Sequence, residues 1–190
     1  MTLKRGFKAH AERIAAAIRT ELRLDSAKQV SPRGVAKIRG IEIVAGNKLI
    51  PMARFEELKK LQADAFSACT FTPSPGNTVI VYYPLHHENR QNSDLAHEIA
   101  HVLLDHRLSR LERLNGMSFF ACDTEQEAEA NWLAGCLLLP RDLLLRLLID
   151  GFDEAGIAEQ CHLSKQMVTY RINVTGIRRQ LAATKRYQRG

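Results

Sequence analysis

The sequence predicts an α+β fold, a small twisted sheet packed on a mainly helical core, and three observations predict it. Apolar residues recur at helical spacing through most of the 190 residues. The β-rich runs are short and lie between Ile41 and Tyr83. Beyond Gly151 the chain reads as short helices joined by a tight turn, in the manner of a helix-turn-helix. Apolar residues make up 45% and charged residues 25%, close to ordinary soluble domains. A chain of this length buries a full core without disulfide staples.

Residues 8–24 place Ala9, Ile14, Ala17, Ile18 and Leu22 near one face, an amphipathic helix. Ser31-Pro32 is a cap followed by proline at the first helical position, which predicts a short helix to Arg39 that Gly40 ends. Ile41–Val44 reads as a strand closed by Gly46-Asn47, and residues 53–65 return to helical spacing. Ser67–Thr72 and Asn77–Tyr83 form a hairpin about a Pro-Ser-Pro-Gly turn. The polar stretch 85–92 reads as loop, with Ser93 capping a helix that starts at Asp94. After an arginine-rich connection, residues 123–139 form a helix with a capping-box start at Thr124. Pro140 opens a further helix through Leu148, and Gly151 breaks it.

Several classes are excluded at this level. No apolar run approaches the length of a membrane span, and the N-terminal stretch alternates basic and apolar residues instead of forming a signal-like apolar block. Four cysteines without CxxC spacing suit reduced thiols and a cytoplasmic setting. The net charge of +6 is unevenly spread: residues 61–159 are acidic, and residues 160–190 hold seven basic side chains and no acidic one. Such a tail suits an acidic partner such as DNA, or is a solvated surface.

The chemistry is concentrated in His97-Glu98-Ile99-Ala100-His101. On a helix, histidines four apart lie about 40° apart on one face, so both imidazoles can grip one metal ion. Glu98 sits beside that ion, where a carboxylate can act as general base toward water; this is the zinc-protease arrangement. Leu95, Ile99, Val102 and Leu103 supply an apolar opposite face. A hydrolytic zinc site needs a third protein ligand and an open position. The three-histidine extension fails, because Leu104 and Arg107 stand where glycine and histidine are required. On helical phase His106 points away, and Asp105 is at best a support behind a ligand. The acidic helix EQEAEANWLAG offers Glu127, which shares a face with Asn131, an amide suited to hold a ligand imidazole. Glu125 competes with it, and Glu129 projects toward solvent.

The combination NSDLAHEIAHVLLDH, then EAEANWLAGCLLLPRDLL, then a helix-turn-helix-like end resembles the ImmA/IrrE family of metallopeptidases over roughly residues 10–175. The resemblance implies a zincin-like core in which the downstream glutamate is the third ligand. Carried onto this chain, Zn2+ is bound by His97, His101 and Glu127, and Glu98 is the catalytic base. It also implies two parts, a metallopeptidase domain at 1–150 and a helix-turn-helix-like basic segment at 151–190. The implied substrate is a specific regulatory protein, a repressor or antitoxin-like transcription factor. Strand addition, independently of the resemblance, would lay such a peptide extended along the Val79–Tyr83 strand. The alternative is a DNA-binding regulator with a structural or sensory zinc site. Gln166, Thr169, Tyr170 and Arg171 are the DNA-contacting residue types on the second helix of the tail, which otherwise serves as a buttress.

Overall fold

Helix α1 (Phe7–Glu21) buries Phe7, Ala11, Ala15 and Ile18 as one stripe. Ile14 and Leu22 flank that stripe, whereas Ala9 and Ala17 are exposed, so the buried face is rotated from the expected one. A computed structural model describes residues 3–61, 67–74, 76–106, 110–114, 117–121 and 123–187. Helix α2 (Pro32–Arg39) begins at Ser31, whose hydroxyl accepts from Gly34 N, and ends at Gly40. Gly40 has φ +64, a left-handed conformation that glycine adopts without cost. Strand β1 (Ile41–Ala45) follows directly, then a 3-10 turn at Gly46–Lys48 and helix α3 (Met52–Leu61). Residues 62–65, expected to continue that helix, lie outside the described residues.

Strands β2 (Ala68–Ser74) and β3 (Asn77–Tyr82) are the expected antiparallel hairpin, and β1 runs parallel to β3. The sheet order is β1-β3-β2, which makes β3 the central strand. Both of its hydrogen-bonding edges are therefore taken. The expectation that a peptide aligns on Val79–Tyr83 is corrected, because the edge beside the helix that carries His97 and His101 belongs to β2.

Helix α4 (Glu88–Leu103) starts six residues before the expected Asp94. Its cap is His87, whose Nδ1 accepts from Asn89 N. The polar stretch is helical because its side chains find partners elsewhere. Asn89 Nδ2 donates to Ala158 O, Asn92 Nδ2 donates to His162 O, and Ser93 Oγ accepts from Ser164 N at 3.0 Å. Ser93 is thus a buried interior residue and not a cap. The connection after α4 also holds a second hairpin, β4 (Arg110–Leu114) against β5 (Met117–Ala121), that the sequence pattern does not announce. Cys122 lies outside the described residues.

Helix α5 (Thr124–Leu138) is the centre of the core, and from Ala130 to Leu138 only Asn131 is not buried. Asp123 is its cap, one residue earlier than expected, in a capping box with Gln126. Helix α6 (Arg141–Ile149) follows Pro140. Helix α7 (Glu154–Gln160), capped by Asp153, and helix α8 (Lys165–Thr175), capped by Ser164, form the helix-turn-helix-like pair. Helix α9 (Ile177–Tyr187) closes the described chain. Among the described residues no helix is long and apolar enough to cross a membrane.

A helix as buried as α5 must satisfy its last carbonyls internally. Two guanidinium groups do so. Arg19 of α1 donates to Cys136 O and Leu137 O, and Arg171 of α8 donates from Nε to Leu139 O at 3.1 Å. Both cations also sit at the negative end of the helix dipole. Burial pulls the Arg19 pKa below its ordinary value, and Glu12 works against that shift. Arg171 is completely buried and passes over Gly135, where an added Cβ would lie 2.3 Å from Arg171 Cδ. Gly135→Ala forces a side chain held at its far end to move, and overpacking of this kind costs about 1–3 kcal/mol. Urea denaturation of the variant is expected to show a lowered midpoint at unchanged slope; a wild-type midpoint would refute the constraint.

Candidate metal centre

Helices α4 and α5 pack side by side, and the site lies at their shared face. On α4, Leu95, Ala96, Ile99 and Ala100 are buried against the core. That fixes the roll of the helix and turns His97, Glu98 and His101 toward the first turn of α5. The capping box holds that turn: Asp123 Oδ1 accepts from Glu125 N and Gln126 N, and Gln126 Oε1 accepts from Asp123 N. Acidic residues in a first turn are favoured by the helix dipole. Glu127 and Asn131, one turn apart, then reach toward His97 together.

The resulting geometry is tight. His97 Nε2 and His101 Nε2 approach to 3.0 Å. Glu127 Oε2 lies 3.1 Å from His97 Nε2, and its Oε1 lies 3.5 Å from His101 Nε2. One ligand atom from each of His97, His101 and Glu127 falls within 4.8 Å of the others, a group that could hold a metal ion. Behind the ring, His97 Nδ1 donates to Asn131 Oδ1 at 3.1 Å, which in the neutral imidazole leaves the Nε2 lone pair facing the site. Two imidazoles and a carboxylate, with lone pairs converging, are a donor set suited to a transition-metal dication.

Glu98 lies beside this group, and Thr70 Oγ1 of β2 donates to its Oε2 at 2.6 Å. Glu125, the competitor for the third ligand, faces the N-terminus instead and pairs with Lys4 at 3.4 Å.

Two expectations need correction. Glu129 is not solvent-facing: it is 8% exposed and lies 3.1 Å from His106 Nε2. His106 does not point away, because phase arithmetic assumed a helix that continues past Leu103. The helix ends there in a left-handed reversal at Asp105, φ +51. Asp105 N donates to Val102 O and His106 N donates to His101 O, the two bonds of a Schellman motif. The reversal folds His106 back onto the helix, with its Nδ1 3.0 Å from His101 Nδ1. Asp105, considered as a support, is exposed at the reversal and does not continue the helical face.

A cleft of about 570 Å³ opens over this group. Ser67 and Ala68 form one wall, Arg90, Asp94 and Glu98 of α4 a second, and Gln166, Met167 and Tyr170 of α8 a third. Of Tyr82, Tyr83, His86, His87 and Arg90, the polar side chains between β3 and the first turn of α4 that could reach a substrate, only Arg90 lines it. Tyr83 donates to Phe55 O, His86 pairs with Asp94, His87 caps α4, and Tyr82 stacks under Arg33. The role of α8 as a wall was not legible in its sequence, where Gln166 and Tyr170 read as DNA-contacting types. Arg171 is buried, and Thr169 Oγ1 donates to Glu154.

Charge balance within the group has a measurable consequence. Burial opposes protonation of His97, but Glu127 and Glu98 outweigh it and raise the His97 pKa. Hydrogen bonds from His101 and His97 hold Glu127 well below the ordinary carboxylate range. In the metal-free chain the His97 contribution is therefore complete below its ordinary value of roughly 6.5 and is lost as pH rises through the raised value. The Glu127 contribution is present above its ordinary value of about 4.3 and is lost only as pH falls through the lowered one. A dication bound by this group would take the place of the His97 proton, so added zinc is expected to raise the melting temperature more at pH 8 than at pH 6. Equal shifts at both values would contradict this exchange.

A family model described as the IrrE N-terminal-like domain matches residues 57–173, from α3 through most of α8. No curated protein and no solved structure matches the chain. The match takes in the hairpin, both site helices and the helix-turn-helix-like pair, and spans more than half of the sequence. The chain belongs to the IrrE N-terminal-like family of peptidases.

Proposed function

We propose that the chain is a zinc-dependent metalloendopeptidase that cuts a specific regulatory protein, a repressor or antitoxin-like transcription factor. The observation that carries this reading is the convergence of His97, His101 and Glu127 beside a separate carboxylate, Glu98, at the floor of a cleft. His97, His101 and Glu127 hold the metal; two nitrogens and one carboxylate oxygen are the donor set of hydrolytic zinc sites. Zinc, when bound, supplies Lewis acidity toward water and the scissile carbonyl.

The protein's own groups do the rest. Glu98 takes a proton from the attacking water and delivers it to the departing amine, the ordinary work of a positioned carboxylate. Thr70 holds that carboxylate from β2, so base and sheet edge keep a fixed relation. An extended substrate segment adds along the edge of β2, where backbone hydrogen bonds align it without reading its sequence. Gln166, Met167 and Tyr170 on the facing wall meet its side chains. A cleft enclosed on three sides admits an unfolded segment and not a folded surface. A linker or tail of a regulator suits it.

The other reading is a DNA-binding regulator that uses α7 and α8. It is less well supported, because the second helix spends Gln166 and Tyr170 on the cleft and Arg171 on the core.

Glu98→Gln tests the assignment. The variant is expected to bind one equivalent of zinc as the wild type does and to lose at least about 100-fold in cleavage rate. Undiminished cleavage of a regulator substrate by this variant would remove Glu98 as the base.

A further inference from the structure

On the reading of His97, His101 and Glu127 as metal ligands, we propose that His106 and Glu129 form a positioning pair that orients His101 from behind. The pair thereby sets how tightly the metal is held.

The argument begins with the backbone. The Schellman reversal after Leu103 places residue 106 against residue 101, a pairing usually filled by two apolar side chains. Here it is filled by two imidazoles at 3.0 Å, with ring centroids 5.0 Å apart and planes at 70°. A polar contact in that place needs partners, because the His106 side chain is 5% exposed and that of Glu129 10%. The hydrogen-bond directions follow from chemistry alone. An ionised Glu129 only accepts, so His106 Nε2 donates to it at 3.1 Å. His106 Nδ1 is then a lone pair and accepts from His101 Nδ1. With a metal ion in place of the proton facing Glu127, His101 Nε2 presents its lone pair on the side of Glu127 and His97.

Each ligand histidine thus has its own support. His97 is held by a neutral amide on α5, Asn131, and His101 by an imidazole backed by a buried carboxylate. Partners behind a ligand imidazole fix its tautomer and ring plane and raise its basicity. Glu129 also lies on α5, two residues from Glu127. Both halves of the site are therefore braced from the helix that supplies the third ligand.

The test uses the full chain and zinc ion itself. Zinc dissociation constants are measured by competition with a chromophoric chelator, and the visible spectrum of the cobalt-loaded protein reports the ligand field. His106→Ala and Glu129→Ala are each expected to weaken zinc roughly 10–100-fold and to shift the cobalt bands. The double variant is expected to be no weaker than the weaker single one, since both act through one chain of hydrogen bonds. Circular dichroism of the metal-free proteins checks folding. Where an alanine variant does not fold, His106→Gln and Glu129→Gln stand in, each keeping a polar partner, with smaller losses in the same direction.

Wild-type affinity and an unchanged cobalt spectrum in these variants would overturn the pair while leaving the three ligands intact. Losses that add fully in the double variant would also overturn it. A wild-type chain that takes up no metal would overturn the ligand reading and this inference together, and is recognised because it fails before any substitution is made.

Discussion

Everything at the site depends on how α5 is held. This helix is buried for most of its length, so it has no water to receive its final carbonyls, and an unsatisfied buried carbonyl costs about 1–3 kcal/mol. Arg19 and Arg171 fill that need from opposite ends of the sequence. Their guanidiniums fix the axial position of α5, and the Asp123 capping box fixes its first turn. Glu127 and Asn131 project from the only part of α5 that faces the cleft. The group that could hold a metal ion is thus built partly on a helix whose two ends are both tied down.

The same constraint explains why the C-terminal pair of helices belongs to the site. Arg171 reaches α5 only because Gly135 leaves room for its side chain. Once that arginine is threaded, Met167 and Tyr170 on the adjoining face of α8 line the cleft. The α7–α8 turn is then received by Asn89, Asn92 and Ser93 of α4. The helix that carries the two histidines is therefore braced along its polar side by the helix-turn-helix-like unit. A motif shape familiar from DNA readers is used here as part of a wall.

The parts legible in the sequence were those whose physics is local. Two histidines at helical spacing, a proline after a serine cap and a glycine after a helix depend on near neighbours, and they stand where the pattern put them. Glu127 with Asn131 also followed from phase on one helix. The misread parts depend on contacts distant in sequence. The first turns of α4 read as loop because Asn89, Asn92 and Ser93 are polar, and their partners lie about 70 residues away. Arg171 reads as a DNA contact until the carbonyl of Leu139 is seen to receive it. His106 and Glu129 were misplaced because helical phase was carried past the point where the Schellman reversal cancels it. Glycine at the position of Asp105 would have announced that reversal; aspartate tolerates the left-handed conformation without advertising it.

If the centre takes up the proposed ion, its electrostatics explain how the site stays assembled beforehand. Two imidazole nitrogens 3.0 Å apart beside a carboxylate are mutually unfavourable if every lone pair is left bare. A proton on His97, favoured by Glu127 and Glu98, relieves that conflict. The proton occupies the electrostatic place of the dication, so the three side chains are already gathered when metal binds. Loading then becomes an exchange of one cation for another of higher charge and stricter geometry. The cost of ordering Glu127, a half-exposed side chain, has already been met by folding. The supports behind the rings, Asn131 and the His106–Glu129 pair, are what keep the exchange from also requiring the imidazoles to turn.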